Sequence, residues 1–251
     1  MPAYDFRSPR LYIDARLAAG AAVALDRGQV NYLRNVLRLG DGDALLLFNG
    51  RDGEWRARLS GAGKKALAAE PAERLRLQPP PPDLHFLFAP LKHARLDYLV
   101  QKAVEMGVSW LQPVITRHTQ VARVNLERMR ANVVEAAQQC GVLSLPVVAE
   151  PVPFDAAVIE VGRLLVFCDE RAEVQDPVAA LGAAPAGLPV SVLIGPEGGF
   201  AEHERAALLR RGNVARIALG PRILRADTAA VAALTLVQAV LGDWGSGGAQ
   251  A

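Results

Sequence analysis

Cysteine, histidine and aromatic residues are scarce in this 251-residue chain, and each scarcity closes off a chemistry. The two cysteines, Cys140 and Cys168, lie in apolar stretches without C-x-x-C spacing, which argues against a disulfide scaffold or a zinc ribbon. Free, buried thiols in a reducing cytoplasm are expected instead. His85, His93, His118 and His203 are scattered and form no H-E-x-x-H pair, so no metal site is expected. There is no G-x-S-x-G elbow for a serine nucleophile, and neither G-x-G-x-x-G nor G-x-x-x-x-G-K-[ST] for a dinucleotide or a nucleoside triphosphate. Long apolar runs are missing too. The uncharged stretch Thr228 to Gly242 is too short and too rich in alanine to cross a bilayer, and Met1 to Arg10 lacks the apolar core of a signal peptide. The expectation is a cytoplasmic globular protein with no membrane partner. The formal net charge is only +2, yet residues 1–78 carry 13 Lys and Arg against 9 Asp and Glu, so the basic excess is N-terminal.

Four consecutive prolines, Pro79 to Pro82, cannot donate ladder hydrogen bonds and mark a border. The predicted division is 1–78, a linker 79–83, a second domain 84–245 and a disordered tail 246–251. Before the prolines, Ala44 to Asn49 and Glu54 to Leu59 have the pattern of short strands around a glycine turn. Arg74 to Leu77 alternates like an edge strand, and Gly28 to Arg38 is the one helical stretch, so this part is a small β domain. After them, apolar strands alternate with helices. The strands are Leu84 to Ala89, Trp110 to Ile115, Leu164 to Cys168, Val190 to Ile194 and Ile217 to Leu219. The helices are Lys92 to Met106, Leu126 to Cys140, Glu202 to Arg211 and Asp227 to Leu241. That alternation predicts an α/β domain whose parallel sheet is covered on both faces.

Two segments carry candidate chemistry. In Val192-Leu193-Ile194-Gly195-Pro196-Glu197-Gly198-Gly199 a buried strand runs into a glycine loop, where backbone can approach a nucleoside-like ligand; a plain strand-to-helix turn would read the same. In Leu219-Gly220-Pro221-Arg222-Ile223-Leu224-Arg225-Ala226-Asp227-Thr228 a strand end meets two arginines just before a helix. Cations are poorly placed against a helix N-terminus, so an anionic partner explains them as well as simple solvation does. The two loops are expected to be neighbours.

VLIGPEGGF, LGPRILRADTAA, QKAVEMGV at Gln101 to Val108 and YLRNVLRLGDGD at Tyr32 to Asp43 together resemble the RsmE family of ribosomal RNA uridine N3-methyltransferases, over nearly the whole chain. The resemblance implies a PUA-like β-barrel domain followed by a SPOUT α/β domain whose C-terminal part forms a trefoil knot. It implies S-adenosylmethionine as cofactor, a homodimer, and 16S ribosomal RNA or the small ribosomal subunit as partner, the activity being 16S rRNA (uracil-N3)-methyltransferase. The implied cofactor residues are Leu193, Ile194, Gly195, Pro196, Glu197, Gly198 and Gly199, with Leu219, Gly220, Ile223 and Leu224. The chain departs from the family in several places. Asp227 stands where Glu is usual, Gln138-Gln139-Cys140-Gly141-Val142 lacks the charges of E-Q-C-G-R, Asn31 stands where histidine is frequent, and Ala201 replaces a capping Ser.

Methylating uracil N3 requires that its proton be removed or that the charge spreading onto O2 and O4 be stabilised. Asp227 and Glu197 are the candidate acids; Arg225 and Arg222 are the candidate stabilisers, and the catalytic set is Arg225, Asp227 and Arg222. Asp227 as a helix cap and Glu197 as a loop brace are equally consistent with the sequence. Arg7, Arg10, Arg34 and Arg38, which flank and line the N-terminal helix, are the expected phosphate contacts.

Overall fold

The structure is a computed structural model; it describes residues 5, 7–61, 66–92, 94–121, 123–157, 162–169, 171–174, 176–185 and 187–244. The chain forms two compact units, Met1–Pro81 with Ala137–Leu145, and Pro82–Ala136 with Pro146–Ala251.

The first unit is built on five strands, β1 (Arg10–Tyr12), β2 (Val23–Ala24), β3 (Ala44–Phe48), β4 (Glu54–Ser60) and β5 (Ala68–Arg76), in the order β1-β3-β4-β5-β2. Only β1 and β3 run parallel. Strand β5 is longer than the sequence pattern predicted. Its second half still behaves as an edge, since β2 pairs only with Ala68 and Ala69. Leu11, Ile13, Leu33, Leu45, Leu47 and Leu59 fill the core. The expected helix begins as α1 (Arg27–Asn31), capped reciprocally by Asp26 and Gln29, then widens into a π-helical turn over Tyr32–Val36. Arg38 follows with φ of 58°, a left-handed conformation normally given to glycine.

The second unit has seven strands, β6 (Leu84–Phe88), β7 (Trp110–Ile115), β8 (Val147–Val148), β9 (Val152–Pro153), β10 (Leu164–Cys168), β11 (Val190–Ile194) and β12 (Val214–Ile217). Their order is β12-β10-β11-β6-β7-β8, with β9 also on β7, and every pairing is parallel. Strands β10 and β11 lie between two neighbours and are nearly continuous apolar runs, as burial on both faces requires. At the sheet edge β12 alternates in burial and is shifted from the expected 217–219 to 214–217 by its register with β10, so Ala218 and Leu219 run into the following loop. Helices α2 (Ala94–Glu105), α3 (Leu126–Cys140), α4 (Phe154–Ala157), α5 (Pro177–Gly182), α6 (Glu202–Leu209) and α7 (Ala226–Val240) complete the elements. Leu99, Val100, Ala103 and Val104 form the buried stripe of α2, which Gly107 ends at φ 78°. Cys140, expected to be buried, ends α3 exposed.

Candidate active site

Because the sheet is parallel, the loops leaving β6, β7, β10, β11 and β12 open on the same edge, where ligands bind in such folds. The strand order reverses between β6 and β11, and both glycine loops lie on that edge: the first follows β11 and the second follows β12.

Backbone geometry explains the glycines. Gly199 (φ +70°) receives no contact within 4 Å at a hypothetical Cβ, and neither does Gly220 (φ +83°). Both need the left-handed region and both face open space, as a backbone cradle for a ligand must. Gly195 is different: a Cβ there would sit 2.9 Å from the Phe200 ring, which is itself packed among Phe154 and Phe167. The Gly199 N–H donates to the Pro196 carbonyl at 2.9 Å, closing the loop into a turn. Leu193 and Ile194 have buried side chains, so they face the core and can offer a ligand only backbone. The Ile194 carbonyl already accepts the Ala89 N–H. Ile223, by contrast, is fully exposed, an apolar side chain standing open in the second loop.

The loops are joined by a residue outside both of them. Arg95, in the first turn of α2, donates from Nε to Asp227 at 3.0 Å and from a terminal nitrogen to the other oxygen at 3.2 Å, and it also pairs with Glu197. One guanidinium therefore binds an acid from each loop. The signal was available, since a cation in the first turn of a helix opposes the dipole, the same argument that drew notice to Arg222 and Arg225. The Arg95 hydrogen bond holds the Asp227 carboxyl below the usual carboxylate range, against the opposing effect of burial. The hydrogen bond to Asp227 in turn raises Arg95 above its normal value. Asp227 also accepts the Thr228 N–H at 2.9 Å. The N-cap position itself belongs to Arg225, whose side chain makes no cap hydrogen bond; Arg225 and Arg222 are exposed.

Between the two loops, Asp169 follows β10 almost wholly buried. Burial pushes its carboxyl up, but hydrogen bonds from Arg205 and the Arg171 N–H, with the charges of Arg205 and Arg216, outweigh this and hold it low. Burial pushes the neighbouring Cys168 thiol up to about 12, so it is no nucleophile. At Ala201 the lost serine cap is half replaced, because buried Glu204 accepts the Ala201 N–H at 2.8 Å.

Of the residues expected to contact RNA, Arg7 and Arg38 are exposed and Arg34 is half-buried. Arg10 corrects the expectation. It is buried against Glu54 at 2.8 Å, the two side chains 4% and 2% exposed, and also donates to the Asp5 carbonyl, so its guanidinium is a structural group and not a phosphate contact. Among the described residues no group of three or more His, Cys, Asp or Glu is arranged to hold a metal ion, and no helix is long and apolar enough to cross a membrane.

Comparison with known proteins gives the same picture. The RNA methyltransferase domain family matches residues 78–238, and the RNA methyltransferase PUA domain matches residues 25–71. The ribosomal RNA small subunit methyltransferase E of Rickettsia conorii is 31% identical over 230 residues, covering 91% of this chain and 94% of its own. The Mycobacterium bovis protein of that name is 31% identical over 248 residues, covering 93% and 92%. Among solved structures, the Neisseria gonorrhoeae ribosomal RNA small subunit methyltransferase E bound to S-adenosyl methionine aligns with TM-score 0.84 and 29% identity over 95% of this chain and 100% of that one. A Legionella pneumophila methyltransferase in complex with the same cofactor aligns with TM-score 0.82 and 29% identity, covering 94% and 99%. With both units matched and full-length relatives aligned over more than nine-tenths of the chain, this protein belongs to the RNA methyltransferase family of the ribosomal RNA small subunit methyltransferases E.

Proposed function

We propose that this protein transfers a methyl group from S-adenosylmethionine to N3 of a uridine in the 16S ribosomal RNA of the small subunit. The observation that carries the reading is the pair of glycine loops at the carboxyl edge of the sheet, tied together by Arg95 and backed by open space at Gly199 and Gly220. Two solved relatives that align over 99% and 100% of their chains and hold this cofactor support it.

S-adenosylmethionine supplies an electrophilic methyl carbon on a sulfonium. The chain's own work is to bind, orient and neutralise charge. Backbone from Gly195 to Gly199 and from Leu219 to Leu224 holds the adenine and ribose, and Ile223 covers an apolar face. Arg95 keeps the loops in register through Glu197 and Asp227. Asp227, ionised and already engaged by Arg95 and Thr228, fits a positioning role better than proton abstraction. Arg225, assisted by Arg222, stabilises the negative charge that develops on uracil O2 and O4 as the N3 proton passes to solvent water and the N3 lone pair takes the methyl group. The N-terminal unit contributes phosphate contacts through Arg7, Arg34 and Arg38. On the same reading the working form is a cytoplasmic homodimer, with the C-terminal part of the α/β domain threaded as a trefoil knot.

The test is nucleoside mass spectrometry of 16S ribosomal RNA from cells lacking the protein. We expect 3-methyluridine to disappear and to return with the wild-type gene but not with Arg225→Ala. Unchanged 3-methyluridine in the deletion strain overturns the proposal.

A further inference from the structure

Several arginines of the α/β unit are neutralised where they stand: Arg128 lies against Asp97, Arg163 against Asp83, Arg171 against Glu202, and Arg205 and Arg216 against Asp169. Lys92, Arg117, Arg123, Arg222 and Arg225 differ. All five are exposed, and among the described residues no carboxylate forms an ion pair with any of them. Arg210, at the C-terminal end of α6, is likewise exposed, but these five share one edge. Lys92 follows β6, Arg117 and Arg123 follow β7, and Arg222 and Arg225 follow β12, so all five stand on the carboxyl edge of the parallel sheet, around the two glycine loops.

The loop after β7 is also braced against the first glycine loop. Glu204, 3% exposed, accepts the Arg117 N–H from one oxygen and the Ala201 N–H from the other, both at 2.8 Å. His118 Nδ1 lies 3.0 Å from the Gly199 carbonyl, which can only accept, so this nitrogen carries the proton and donates. Gly198 packs against the same histidine, its hypothetical Cβ 3.4 Å from the His118 Cβ. A buried carboxylate and an imidazole thus fix the backbone that carries Arg117 beside the transfer site.

Cations set on one edge without counter-charges create a field that concentrates polyanions, and arginine's planar fork matches phosphate oxygens. We infer that the α/β unit has its own RNA-holding rim, in which Arg117 and Arg123 grip phosphates flanking the target nucleotide. This rests on the methyltransferase reading and adds a surface to it. RNA suits the rim better than an acidic protein does, because the same edge holds the pocket proposed to act on RNA.

The experiment is a salt series of filter-binding measurements with the full chain and in vitro transcribed 16S ribosomal RNA. In Arg117→Gln/Arg123→Gln the slope of log Kd against log salt should fall by about 1 per arginine removed. Affinity should weaken roughly tenfold. Arg117→Lys/Arg123→Lys should keep the slope, because a phosphate contact needs the charge. Arg210→Gln removes one charge at the C-terminal end of α6, on the opposite edge of the sheet, and should leave the slope unchanged. Calorimetry with S-adenosylmethionine on the same proteins checks that the pocket survives. An unchanged slope in the double glutamine variant overturns the inference. So does an equal loss in Arg210→Gln, or lysine variants as weak as the glutamine ones. Failure of the wild-type protein to bind the RNA at all would instead bring down the functional reading itself.

Discussion

Arg10 in the β unit and Arg95 in the α/β unit are both arginines held by carboxylates, and they do opposite work. The Arg10–Glu54 pair is sealed from water, whereas Arg95, Glu197 and Asp227 are 31%, 45% and 16% exposed at their side chains. A sealed pair is a fixed part of the core, since removing one partner strands a charge in a low dielectric. A half-exposed pair adds little to stability but can hold two loops at a chosen separation. The sequence predicts an RNA contact at Arg10 and marks nothing at Arg95, whereas the structure seals the first in the β unit and sets the second between two loops.

The largest effect should come from Arg10→Ala, which leaves Glu54 buried without its closest partner and should cost about 3–5 kcal/mol of stability, read by urea denaturation. A loss under about 1 kcal/mol, the range of an exposed pair, would mean that the pair is not structural. Arg225→Ala should cut single-turnover methylation by roughly 100-fold to 1000-fold, the range seen when a charge-stabilising donor is removed, with cofactor affinity largely kept. Arg95→Met should weaken S-adenosylmethionine binding about tenfold while changing stability by less than about 1 kcal/mol. Equal losses of stability in Arg10→Ala and Arg95→Met would erase the distinction between the two pairs.

Gly220→Ala comes next, with about 1 kcal/mol of backbone strain and no steric clash, visible as a small drop in melting temperature. The smallest effect is in pH dependence. Because Arg95 holds Asp227 below its ordinary value of 3.8, the ion pair is intact above the unfolded carboxylate's titration and is lost only as pH falls through the lower folded value. Removing Arg95 should therefore move the acid limb of cofactor binding upward in pH, followed by calorimetry across an acidic series. A limb that stays in place would show that Arg95 does not set the state of Asp227.

Strands β7, β10 and β11 and helix α3 are legible to the residue, because β10 and β11 are nearly continuous apolar runs, β7 is flanked by polar residues and Gly141 ends α3. The family resemblance and the parallel α/β class held as well. Strand β12 was misplaced since an edge strand alternates while the pattern sought was continuous. Strands β1 and β2 are too short to carry a period at all. Arg10 was misjudged because exposure is not written in a single arginine; its partner Glu54 lies 44 residues away.

The sequence by itself determined which residues could build the two glycine loops, since glycine takes the left-handed backbone at positions 199 and 220 without steric cost and a nearly continuous apolar run suits β11. Tertiary structure decided which charges are free to act. Arg95 meets Asp227 across 132 residues of chain and Arg117 meets Glu204 across 87, separations at which local pattern carries no information. Parallel pairing of β6, β7, β11 and β12 within one sheet brings those loops to a common edge, and Lys92, Arg117, Arg123, Arg222 and Arg225 stand there.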